Sequence, residues 1–142
     1  MKNKLAAVLT VVFALLAVVF CVLWQRAVHD TSELEAFAQA EALKAYTHFA
    51  DYQSGKDNAD YWQGVAALHA FTDAYGVLTE GTNKSTNRVL CDEVYGSLTL
   101  SPEQSQAHIP DIVSVMKLLS ENVTDESAYA KMLELRNTLQ ER

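Results

Sequence analysis

An all-α fold, with one apolar amino-terminal helix followed by an antiparallel bundle of four to five helices, is predicted by three observations on this 142-residue sequence. Apolar residues recur at three- and four-residue spacing through most of the chain after residue 30, and no segment sustains a period of two. Only two prolines interrupt that pattern. Ahead of it stands an unbroken run of apolar or near-neutral side chains from Leu5 to Trp24.

At 1.5 Å rise per residue such a run is long enough, as a helix, to cross a hydrocarbon core of about 30 Å. Its one polar side chain, Thr10, can return its hydroxyl to the backbone. A cleaved secretory signal would end in small residues, whereas Trp24, Gln25 and Arg26 follow here, so the run reads as a retained anchor. Lipidation at Cys21 would want a small residue where Phe20 stands. Lys2 and Lys4 precede the run and favour a cytoplasmic amino terminus. The expected organisation is therefore a cytoplasmic stretch over residues 1–4, a transmembrane signal anchor over 5–24, and an extracytoplasmic helical domain over 25–142, with the bilayer as the partner of residues 5–24. Trp24 suits headgroup depth.

The first helix of the outer domain is expected from about Asp30 to Tyr52, with only Arg26 to His29 between it and the anchor, so that the two can run on as one helix. Ala36, Ala40, Leu43, Thr47 and Ala50 repeat at alternating four and three and are expected to face inward, flanked by Phe37, Tyr46 and Phe49. Ser54, Gly55 and Lys56 break the pattern, and Asp57 or Asn58 can cap the second helix. That helix runs to about Thr79 on a stripe of Tyr61, Val65, Leu68, Thr72 and Tyr75, widened by Trp62, Phe71 and Leu78. Gly81 and the polar segment after it end the element.

A third helix over about Thr86 to Leu98 turns Leu90, Cys91, Val94 and Leu98 inward. Ser101, Pro102, Glu103 and Gln104 have the arrangement of a capping box, which starts a short helix over 102–108 that kinks or restarts at Pro110. Ile112, Val115, Met116, Leu119 and Val123 then line one side. Thr124 is the expected cap of a last helix carrying Ala128, Met132, Leu135 and Leu139.

Charge follows the same division. Lys2, Lys4 and Arg26 give residues 1–26 a formal +3, so the remainder of a chain at −7 carries −10. An acidic outer domain repels phosphate backbones, which excludes nucleic acid as a partner class. Cys21 and Cys91 fall in different compartments of this layout, so no internal disulfide is expected, and Cys91 reads as a core residue beside Leu90 and Val94.

The chemistry-bearing motifs are sparse. No Glu-x-x-His, His-Glu-x-x-His or Cys-x-x-Cys occurs. His69 and Asp73 sit four apart and read as a hydrogen-bonded pair, lacking the third ligand that zinc usually takes. His48 and His108 read as polar edges of the core. Asp51, Asp57, Asn58 and Asp60 gather around the first interhelical turn, but their spacing is not that of an EF-hand loop, and capping with solvation accounts for them. Asn83 and Asn122 head formal glycosylation sequons. No catalytic, cofactor or metal set is expected, and the chain does not read as an enzyme.

Trp62-Gln63-Gly64, between an alanine-rich helix and an aromatic one, resembles the hairpin signature of small secreted WXG-type helical proteins. The likeness covers about thirty residues. Those proteins characteristically have no amino-terminal span, and here the tripeptide falls inside a helix instead of a turn, so no property is carried over.

Two functional expectations follow. In the first, the bundle is a non-catalytic interaction or scaffold module that docks through a helix face to a protein partner or to itself. In the second, it is a sensory-type domain with a small-ligand pocket among Trp62, His69, Tyr75 and Tyr95, working through a partner because few residues precede the anchor. The first is preferred.

Overall fold

Residues 1–54 contain neither glycine nor proline, so nothing in the backbone chemistry interrupts a helix there. In the computed structural model α1 accordingly runs without a break from Lys2 to Gly55. The structure describes residues 2–140, and side chains from Leu16 onward apart from those of residues 26, 27 and 29. The chain divides into two compact units, Met1–Glu33 and Leu34–Arg142.

In the first unit every described large apolar side chain, from Leu16 and Val18 through Phe20 to Trp24 and Val28, is exposed. Phe20 and Trp24, one turn apart, stack with ring centroids 6.2 Å from each other. Among the described residues no helix is long and apolar enough to cross a membrane, and the first eleven positions of the Leu5–Trp24 run have side chains outside those described.

The second unit consists of helices joined by turns, with no strand among its described residues. The end of α1 is followed by α2 (Asn58–Leu78), α3 (Ser85–Leu100), a short α4 (Pro102–Ser105) passing through a 3₁₀ turn, α5 (Ile109–Glu121) and α6 (Glu126–Gln140). Helices α2 and α3 run antiparallel. Tyr61, at the start of α2, reaches the carbonyl of Leu98 at the end of α3, while Tyr75 near the end of α2 meets Asn87 at the start of α3. The circuit closes with α3 and α6 side by side and parallel: Cys91 meets Met132, and Glu93 meets Arg136. Gln39 of α1 donates to the carbonyl of Glu121 at the end of α5.

The core is one cluster of aliphatic and aromatic side chains drawn from all five long helices. The expected inward stripes of α2, α3, α5 and α6 are buried there, with Leu78 and Leu139 at its margin, but Trp62, expected to widen the α2 stripe, is exposed. The seam of α1 is different. Ala38, Ala42, Ala45, Phe49 and Tyr52 face inward, whereas Ala36, Ala40, Leu43 and Thr47 are exposed and Ala50 is half-buried. The two series are offset by two positions, about 200° around a helix of 3.6 residues per turn. Both repeat at four and three, but the buried one ends in two aromatics and removes more apolar area from water.

The helix ends also depart from expectation in three places. Asp57 does cap α2, accepting from the backbone of Ala59 at 2.8 Å. Ser101, however, makes no side-chain cap, and the hydroxyl of Ser105 instead donates to the carbonyls of Ser101 and Ser97. Ile109 is helical and fully buried although it precedes Pro110, which occupies the first turn of α5, where no intrahelical N–H is needed. The cap of α6 comes from Asp125, whose Oδ1 accepts from the backbones of Ser127 and Ala128; Thr124 is occupied with Asn122.

Candidate functional site

Trp62 and His69 lie two turns apart on the outer face of α2, and both are exposed. Trp62 stands edge-on to the ring of Tyr61 at 5.2 Å. His69 lies against Tyr95 of α3, ring centroids 4.6 Å apart and planes inclined at 35°, with its Nδ1 3.8 Å from Asp73 Oδ2. That separation is a long ion-pair distance and no hydrogen bond. Tyr75 is on the opposite side of α2, fully buried between Phe71 and Tyr129. Of the four residues expected to line a pocket, the structure therefore pairs His69 with Tyr95, leaves Trp62 on the same surface, and commits Tyr75 to the core.

Two grooves lie elsewhere. One of about 360 Å³ runs between α3 and α6, lined by Val89, Leu90, Tyr129, Leu133 and Arg136 among others. Another of about 260 Å³ lies between α5 and α6, where Lys131 reaches Ser114. Cys91 is sealed behind the first, its Sγ 3.4 Å from Met132 Sδ. Burial pushes this thiol far above its ordinary range, so it carries little thiolate and is a poor nucleophile.

The side chains that converge most closely sit at the first hairpin. His48 and Asp51 are three residues apart on α1, and Asp60 lies in the first turn of α2. One ligand atom from each, the imidazole nitrogen and two carboxylate oxygens, falls within 4.8 Å of the others. His48 Nδ1 is 3.8 Å from Asp60 Oδ1, and this nitrogen is buried with no hydrogen-bond partner. An orphaned buried nitrogen typically costs about 1–3 kcal/mol, so its surroundings call for explanation. Among the described ion pairs no Lys or Arg meets either carboxylate. Lys56, the nearest cation in sequence, places its ammonium 5.2 Å from the ring centroid of Tyr52.

The turn that creates this convergence is tight. Lys56 adopts a left-handed backbone with φ of 58°, and its N–H closes on the carbonyl of Tyr52 at 2.7 Å. Asp57, drawn into capping α2, is not a member of the cluster, and sequence reasoning that grouped it with Asp51 and Asp60 overlooked His48. The i, i+3 spacing of His48 and Asp51 was the available signal, since it places both on one helix face.

Comparison of the chain with protein-family models, with curated proteins and with solved structures finds no match.

Proposed function

We propose that this protein is a membrane-tethered, extracytoplasmic helical bundle that acts as a non-catalytic protein-interaction or scaffold module. The observation that carries the reading is the second apolar series of α1. Ala36, Ala40 and Leu43 repeat at the spacing of a helix-packing seam, and Phe37 lies beside them. Yet Leu43, on the side of the helix away from its buried seam, is 52 % exposed, and Phe37, on the flank, is 51 % exposed. A helix whose inner face is already satisfied gains nothing in its own fold from a second such series; a partner helix laid along it would.

Tethering is supported by the twenty-residue apolar run and by the exposed apolar side chains of its described half, from Leu16 to Trp24. In lipid those side chains would be solvated, whereas in water they form an unbroken apolar sheath. Lys2 and Lys4 favour the orientation with the bundle outside. The small-ligand reading draws less support, because Tyr75 is buried and His69 and Trp62 form a convex aromatic edge on α2.

The test of tethering and orientation is protease shaving of intact cells expressing the full chain with a carboxy-terminal tag, together with the mass of the membrane-bound product. Loss of the tag with an uncleaved amino-terminal segment is expected. A tag that survives protease after the envelope has been opened would reverse the orientation, and a chain that leaves the membrane in alkaline carbonate would refute the anchor.

A further inference from the structure

The hairpin between α1 and α2 brings two carboxylates, neither met by a Lys or Arg among the described ion pairs, to an imidazole nitrogen that has no hydrogen-bond partner. Solvent reaches Asp51, whereas the buried His48 Nδ1 has nothing in the fold that satisfies it. Asp51 caps no helix, Asp60 is not the cap of α2, and His48 Nδ1 is too far from Asp60 to share a proton with it in a hydrogen bond. Two carboxylates and an imidazole nitrogen within 4.8 Å of one another form a donor set that a divalent cation can use.

We propose that His48, Asp51 and Asp60 bind a divalent first-row transition metal, with zinc the ion their chemistry suits best. Zinc bonds to histidine nitrogen and carboxylate oxygen are each about 2.0–2.2 Å, which at a tetrahedral angle puts two ligand atoms about 3.4 Å apart. The 3.8 Å between His48 Nδ1 and Asp60 Oδ1 is close to that separation, and a small side-chain adjustment closes the difference. Asp51 is exposed, so its side chain is free to change rotamer, and one of its carboxylate oxygens already lies within 4.8 Å of the other two ligand atoms. A single imidazole nitrogen discriminates against calcium and magnesium, which take oxygen ligands, and the lack of thiolate discriminates against softer ions. Three protein ligands leave zinc an open position for water or for a donor from a partner.

The ion would link α1 to α2 across the turn, in the same segment of α1 that carries the exposed stripe. Its binding is independent of the interaction-module reading: the metal site stands or fails on the hairpin alone.

Calorimetric titration of chelator-treated full-length protein in detergent micelles with zinc chloride tests this, with calcium and magnesium chlorides in parallel. One zinc per chain is expected, with weaker binding of the other two ions and a melting temperature that rises with zinc concentration. Asp51→Asn and Asp60→Asn should each weaken zinc by more than the 10–100-fold typical of losing a residue that only orients a ligand. His48→Gln should do the same, and Asp57→Asn, which keeps the cap but lies outside the cluster, should leave affinity unchanged. Because Asp51 is exposed, Asp51→Asn should fold normally by circular dichroism, so loss of binding there is not loss of structure. No zinc binding by the intact chain, zinc affinity unchanged in Asp51→Asn and Asp60→Asn, or calcium bound as tightly as zinc would each overturn the proposal.

Discussion

A Cβ placed on Gly64 of α2 would fall 2.9 Å from Cδ1 and Cε1 of Phe49 on α1. The glycine is therefore what lets a fully buried phenyl ring lie directly on the backbone of the neighbouring helix. Phe49 also meets Tyr61 edge-on at 6.1 Å, and Tyr61 meets Tyr52 at 5.4 Å, so the contact anchors an aromatic group that ties α1 to α2.

Gly64→Ala should consequently destabilise the bundle, although alanine is the better helix former, because a ring packed on all sides cannot retreat. Overpacking of this kind costs about 1–3 kcal/mol. Gly96 in α3 has nothing within 4 Å of the same position, so Gly96→Ala should stabilise by about 0.5–1 kcal/mol. Opposite signs in chemical denaturation are the expected result, and a stabilised Gly64→Ala would refute the Phe49 contact.

Tyr61 donates its hydroxyl hydrogen to the carbonyl of Leu98 at 2.8 Å, and burial pushes its ionisation up to about 12. In the unfolded chain a tyrosine ionises near 10, so between those values the unfolded state releases a proton that the folded state keeps. The stabilisation is complete below about pH 10 and is lost as the pH rises toward 12. Tyr129, buried with its hydroxyl on the carbonyl of Val123, shifts in the same direction. Urea midpoints measured from pH 9 to 12 should fall, and Tyr61→Phe should flatten that slope while costing about 1 kcal/mol at neutral pH.

Asp125 begins α6 by accepting hydrogen bonds from Ser127 and Ala128, and those bonds hold its carboxyl below the usual range. Its contribution is present above the ordinary carboxylate pKa and is lost as the pH falls toward the lowered native value. Asp125→Ala should lower the melting temperature at pH 7, and the gap between variant and parent should narrow in acid. A gap that persists at low pH would mean that the cap works by something other than the charged carboxylate.

Cys91 should react with a thiol reagent only when the bundle opens. In a Cys21→Ser background, where Cys91 is the remaining thiol, labelling under native conditions should be slow and should accelerate sharply in denaturant. Rapid labelling of the native protein would show that α3 and α6 separate easily around Met132.

The elements legible in the sequence were those with a single series of large apolar residues. Tyr61, Val65, Leu68, Thr72 and Tyr75 admit one inward face, and so do Ile112, Val115, Met116 and Leu119. In α1, alanines occupy two opposed series, and spacing cannot rank them; only the tertiary placement of Phe49 and Tyr52 does. Capping was ambiguous for a similar reason, since Thr124 and Asp125 are adjacent and both carry a competent oxygen. The His48, Asp51 and Asp60 convergence depends on how tightly the turn at Lys56 folds, a property of the hairpin that no local pattern states. Likewise, the separation of Tyr75 from Trp62 and His69 follows from their angular positions on α2, which the aromatic count alone concealed.

Whether the exposed seam of α1 is covered by another chain is read by site-directed photocrosslinking in native membranes. A photoreactive residue at Leu43, on the outward stripe, is compared with one at Lys131, on the exposed face of α6. A discrete, reproducible adduct is expected from position 43, either a dimer or a single partner, and none of that mass from position 131. Monomer alone from position 43, or the same diffuse products from both positions, would contradict it.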